Sequence, residues 1–101
     1  MENQESELKQ CKEFYENGQL KREENYKDHP YQKHGKEIGY YKSGHVSWEA
    51  NYVDGQLHGK EIEYAQNGKL ISEINWVDDH KQGQQLGYYE SGKLAMECNW
   101  V

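Results

Sequence analysis

The sequence predicts an all-β chain of tandem antiparallel β-hairpin repeats, joined into one elongated, twisted meander sheet of about seven to eight strands. Three observations predict it: glycines at a fixed interval, hairpin chemistry around each, and columns of like residues between them. Gly18, Gly44, Gly68 and Gly92 lie 26, 24 and 24 residues apart. The same intervals separate Tyr26, Tyr52, Trp76 and Trp100, then Glu23, Glu49, Glu73 and Glu97, and then Asn25, Asn51, Asn75 and Asn99. Agreement among four columns marks an internal repeat. The two extra residues of the first interval fall in KDHPYQKHGK, where Pro30 is compatible with a loop.

Residues 1–13 are read as an N-terminal cap, and the hairpins as about 14–34, 35–58, 59–82 and 83–101, all within a single repeat domain. Each hairpin carries a turn phrase, ENG, KSG, QNG or ESG, flanked by alternating residues. Of the two turns that fit, a three-residue loop with a left-handed Gly44 and a glycine bulge places Tyr40 opposite Val46. Simple alternation from that point collects Ile38, Tyr40, Val46, Trp48, Ala50 and Tyr52 on one face. The next hairpins add Ile62, Tyr64, Leu70, Ile74 and Trp76, then Leu86, Tyr88, Leu94, Met96, Cys98 and Trp100. In the first hairpin Phe14, Leu20 and Tyr26 are diluted by Lys12, Arg22 and Glu24, as in a solvated terminal repeat. An aromatic face on a single sheet predicts that the sheet curls on itself, is covered by the N-terminal segment, or dimerises. The last strand is expected to offer an unpaired edge for self-association.

Composition supports an aromatic core. Leu, Ile, Val and Phe total only fifteen of 101 residues, a level associated with disorder. Nine Tyr and three Trp compensate, because each ring buries roughly 150–250 Å². The net charge of −6 disfavours nucleic acid or an anionic membrane as the main target and favours a basic partner. Two unpaired-looking cysteines, Cys11 and Cys98, no leader-like N-terminus and no long apolar run lead to an expectation of a cytoplasmic protein.

The same alternation gathers Glu23, Glu37, Glu49, Glu61, Glu63, Glu73 and Glu97 on the opposite face, with Tyr41 and Tyr89 among them. It sets Glu37 opposite Glu49 and Glu61 opposite Glu73, pairs that destabilise a sheet and therefore point to a partner-binding surface. Catalysis is not expected, because repeated copies on a surface do not create the unlike environments that separate an acid from a base. No metal or cofactor is expected: His29, His34, His45, His58 and His80, and Asp28, Asp54 and Asp78, fit turn chemistry without convergent ligand spacing. Cys98 reads as a small core residue, and Cys11 has no evident base.

The run GKEIGYYKSGHVSWEANYVDGQLHGKEIEYAQNGKL resembles the bacterial variant of the MORN repeat, in the hairpin glycine, the Tyr-Tyr pair, the Glu-x-Asn-aromatic strand end and the Asp-Gly-x-x-x-Gly-Lys turn. The resemblance spans residues 14–101 and departs from the pattern at Ala65, at Asp79 and around Pro30. Such repeats are found in proteins similar to the YwqK family of antitoxins. That resemblance implies neutralisation of a cognate polypeptide toxin; independently, the acidic sheet fits the basic active-site groove of a nuclease or deaminase by charge complementarity. The rival expectation is a non-inhibitory interaction or assembly scaffold.

Overall fold

A computed structural model describes residues 8–28 and 31–101 of the chain. The segment 1–7 and the loop positions His29 and Pro30, where the insertion was placed, lie outside the described residues. Among the described residues, ten strands make one antiparallel sheet: β1 (Leu8–Phe14), β2 (Leu20–Lys27), β3 (Gln32–Lys33), β4 (Gly35–Tyr40), β5 (Val46–Val53), β6 (Gln56–Leu57), β7 (Gly59–Tyr64), β8 (Leu70–Val77), β9 (His80–Tyr88) and β10 (Leu94–Trp100). The order is β1-β2-β4-β5-β7-β8-β9-β10, with the two-residue strands β3 and β6 pairing β2 and β5. The eight long strands thus follow one another as a meander. The first hairpin begins at Leu8, inside the segment read as a cap.

Each long hairpin closes as its turn phrase dictates. Tyr41 N–H bonds to His45 O at 2.8 Å and Gly44 N–H to Tyr41 O at 2.9 Å, leaving a three-residue loop with Gly44 at φ 99°. Hairpins join through tight turns at Asp54–Gly55 and Asp78–Asp79, where both turn residues have positive φ. Right-handed strand twist favours such two-residue turns.

Tyr40 does lie opposite Val46, but the next pair is Gly39 with Trp48, so Ser47 is an extra residue in β5. Equivalent shifts occur between Glu13 and Phe14, between Glu63 and Tyr64, and between Leu94 and Met96. Beyond each one-residue bulge, alternation reverses relative to the partner strand. Directly opposed residues share a face, so Trp48, Ala50 and Tyr52 lie with Glu37 and Gly39, while Ile38 and Tyr40 lie with Glu49. The expected segregation into an aromatic face and a glutamate face is therefore overturned. Both faces are mixed.

Among the described residues the sheet neither curls closed nor acquires a second layer: the extents are 59 × 42 × 13 Å, and β1 and β10 remain apart at its two ends; the expected N-terminal cover falls on residues 1–7, outside the described residues. Its radius of gyration is 16.1 Å, against about 13 Å for a compact chain of 100 residues. Ala50, 2% exposed, is the one buried apolar side chain among the described residues. Stability is instead distributed over short-range contacts repeated from hairpin to hairpin. Asn25, Asn51 and Asn75 each donate a side-chain N–H to the next hairpin, to Lys36 O (2.8 Å), Lys60 O (3.0 Å) and Gln84 O (2.8 Å). Tyr15 and Tyr41 hydroxyls donate to Tyr40 O (2.6 Å) and Tyr64 O (2.7 Å). Ala65, the third residue of that column, has no hydroxyl to give.

Candidate protein-binding surface

The bulges divide the seven candidate glutamates into two sets. Glu37, Glu61 and Glu63 occupy one face with Trp48, Ala50, Ile74 and Trp76. Glu23, Glu49, Glu73 and Glu97 occupy the other with Ile38, Ile62 and Leu86. Glu37 is opposite Ala50, not Glu49, and Glu61 is opposite Ile74, not Glu73. The like-charge conflict inferred from simple alternation does not exist. Tyr41 and Tyr89 sit at the hairpin-turn edge, where the Tyr41 hydroxyl is engaged by Tyr64 O and Tyr89 is 62% exposed.

On the first face the carboxylates are structural. Glu61 Oε1 accepts the Trp76 indole N–H at 2.9 Å, and Gln85 Oε1 accepts the Trp100 indole N–H at 2.8 Å one repeat later. Glu37, 4% exposed, takes Lys33 Nζ at 3.0 Å, and that ammonium lies 5.0 Å from the Tyr52 ring centre. Lys81 stacks on Trp100 in the same way, also at 5.0 Å. Glu24, a buried carboxylate that sequence reasoning assigned only to the dilution of the first repeat, is held by Arg22 at 2.7 Å and by the Tyr26 hydroxyl. That hydrogen bond, with burial, pushes the Tyr26 phenol up to about 12. Gly39 belongs to this face because the Trp48 indole fills the place of a Cβ, which would lie 2.3 Å from Nε1. The equivalent pairs, Glu63 with Ser72 and Gly87 with Met96, also set a larger residue opposite a smaller one.

The second face carries less internal bonding and more repetition. Across it runs the row Lys12, Glu23, Ile38, Glu49, Ile62, Glu73, Leu86, Glu97, in which each carboxylate sits two strands from the next. At about 4.8 Å between strands, the carboxylates are roughly 10 Å apart. Glu23 accepts from the Tyr40 hydroxyl at 2.6 Å, which raises that phenol to about 12, and Glu97 accepts from Gln84 at 2.8 Å. Glu73 has Lys60 at 3.7 Å. Glu49 has no hydrogen-bond or ion-pair partner among the described residues. On the hairpin-turn side of this row lie the opposed pairs Phe14 with Leu20, Tyr40 with Val46, Tyr64 with Leu70, and Tyr88 with Leu94. An apolar, Tyr-rich band thus lies beside regularly spaced acids.

The concavities of the surface are open grooves rather than enclosed pockets. No group of three His, Cys, Asp or Glu side chains among the described residues is arranged to hold a metal ion. The family model for the MORN repeat variant matches residues 9–28, 33–54, 57–78 and 81–101, which is most of the chain. The chain belongs to the MORN repeat variant family. No curated protein and no solved structure matches it. MORN repeats typically form non-enzymatic interaction or scaffold modules. Each matched repeat corresponds to one long hairpin, so the second, third and fourth MORN units each supply one Glu, one aliphatic residue and one Tyr to the second face, while the first supplies Glu23 with Lys12 and Phe14.

Proposed function

We propose that this chain is a non-catalytic protein-binding module that neutralises a cognate polypeptide toxin by covering its active-site surface. The row Glu23, Glu49, Glu73, Glu97, interleaved with Ile38, Ile62 and Leu86, is the observation that carries this reading. A basic groove of the kind that binds nucleic acid would meet carboxylates at a regular spacing and apolar contacts between them, and the charge complementarity would speed encounter. Of the four, Glu73 has Lys60 beside it, whereas the Glu49 side chain has no ion-pair partner among the described residues to offset its charge. Glu37, Glu61 and Glu63 lie on the other face and are not part of this surface.

Co-expression with the polypeptide encoded by the adjacent reading frame tests the role. Growth rescue by the intact chain, together with a stoichiometric complex of the two purified proteins, is the expected result. Full toxicity in the presence of the folded chain would overturn it.

A further inference from the structure

We propose that the chain assembles head to tail with copies of itself, strand β10 of one copy receiving strand β1 of the next as if the repeat continued. The register of such a joint is set by the internal joints, and the residues found there fit it. This inference does not depend on the toxin partner.

Within the sheet the second strand of each hairpin pairs with the first strand of the next in one register. Glu23 lies opposite Ile38, Glu49 opposite Ile62 and Glu73 opposite Leu86. One residue on, Ile74 lies opposite Gln85. Stepping by the repeat, the corresponding positions in β10 are Glu97 and Cys98, and those in β1 are Lys12 and Cys11. Where internal joints oppose Glu to an aliphatic residue, the intermolecular joint opposes Glu97 to Lys12, a favourable cross-strand charge pair. A Lys on an edge strand ordinarily discourages pairing, and Glu97 is the residue that reverses its effect. The only two cysteines of the chain would face each other.

The side-chain rungs agree. Asn99 continues the column of Asn25, Asn51 and Asn75, and Gln10 O of a second copy stands where Lys36, Lys60 and Gln84 carbonyls accept. Tyr89 continues Tyr15 and Tyr41, whose acceptors Tyr40 O and Tyr64 O correspond to Phe14 O. Leu94, Met96 and Phe14 are 50%, 40% and 60% exposed, and the joint would cover them. Because the two surfaces differ, the contact is heterologous and open-ended.

Oxidative trapping reads the order directly. Directly opposed residues of antiparallel strands have Cα atoms about 4.5–5.5 Å apart, within the disulfide range of about 4.4–6.8 Å. Within one chain, seven strand spacings put Cys11 and Cys98 roughly 34 Å apart, so no intramolecular bond competes. Cys11→Ser and Cys98→Ser proteins are mixed and treated with the azo oxidant diamide. For each S–S bond formed, two thiols give up two protons and two electrons, and diamide is reduced to its hydrazine. The expected product is the Cys11–Cys98 heterodimer, at least tenfold over either homodimer. A statistical mixture of the three dimers, or an excess of homodimers, would overturn the proposal.

Sedimentation of the Cys11→Ser/Cys98→Ser chain over a range of concentrations checks it without the trap. Mass should rise with concentration, association should weaken about two- to fivefold in Lys12→Glu, and Lys12→Glu/Glu97→Lys should restore it. Monomers at every concentration, or association indifferent to these charges, would contradict it.

Discussion

Glu61 and Gln85 occupy equivalent positions and do the same work: each accepts an indole N–H, from Trp76 at 2.9 Å and from Trp100 at 2.8 Å. The repeat has thus already tested the amide in place of the carboxylate. Glu61→Gln should shift the urea unfolding free energy by less than about 0.5 kcal/mol. Glu61→Leu should cost about 1–3 kcal/mol by leaving the half-buried Trp76 N–H unpaired. The phenols of Tyr26 and Tyr40, hydrogen-bonded to Glu24 and Glu23, are both raised to about 12, above the ordinary value near 10. In the unfolded chain they ionise first, so the stability they contribute is complete below pH 10 and is lost between about pH 10 and 12. Burial raises the Tyr52 phenol as well, so absorbance titration of phenolate should show Tyr26 and Tyr40 among the late tyrosines, with one late group lost in each of Tyr26→Phe and Tyr40→Phe.

At the scale of the hairpin, much of the structure is legible in the sequence. Gly44 fixes the three-residue loop, and the 24-residue columns locate the strands. Which face each side chain takes is not legible, for a physical reason. Lys21, Ser47, Ile71 and Ala95 are bulge residues in every copy, and an irregularity repeated in every copy leaves the period unchanged. Hydrophobic alternation gives no correction either, since Trp48 sits beside Glu37 on one face and Ile38 beside Glu49 on the other. Of the candidate surface, Glu23, Glu49, Glu73 and Glu97 were recoverable as one column, whereas Glu37, Glu61 and Glu63 were joined to them by a register one residue off. The tyrosine rungs supply an element-scale prediction. Ala65 interrupts the column that binds Tyr40 O and Tyr64 O from the preceding hairpin, so Ala65→Tyr should supply a hydroxyl to Tyr88 O. The expected gain is about 0.5–1.5 kcal/mol, read as a higher urea midpoint.

At the scale of the whole molecule, the described residues form a single layer 13 Å thick with scarcely any side chain among them out of reach of solvent. Such a sheet lends itself to display: its stability comes from neighbour-to-neighbour bonds, and each hairpin after the first adds a Glu, an aliphatic residue and a Tyr to the same face. The division of labour between the faces follows. Glu37 and Glu61 hold lysine and indole groups in place, while Glu49 and Glu73 face outward in a row with isoleucines. The most direct measurement is the association rate of Glu49→Lys/Glu73→Lys with the co-encoded polypeptide at low ionic strength, alongside its urea unfolding. An association slowed at least about tenfold, with the unfolding midpoint little changed, is the predicted result. An unaltered association rate in the folded double variant would contradict the proposal that this glutamate row is the binding surface.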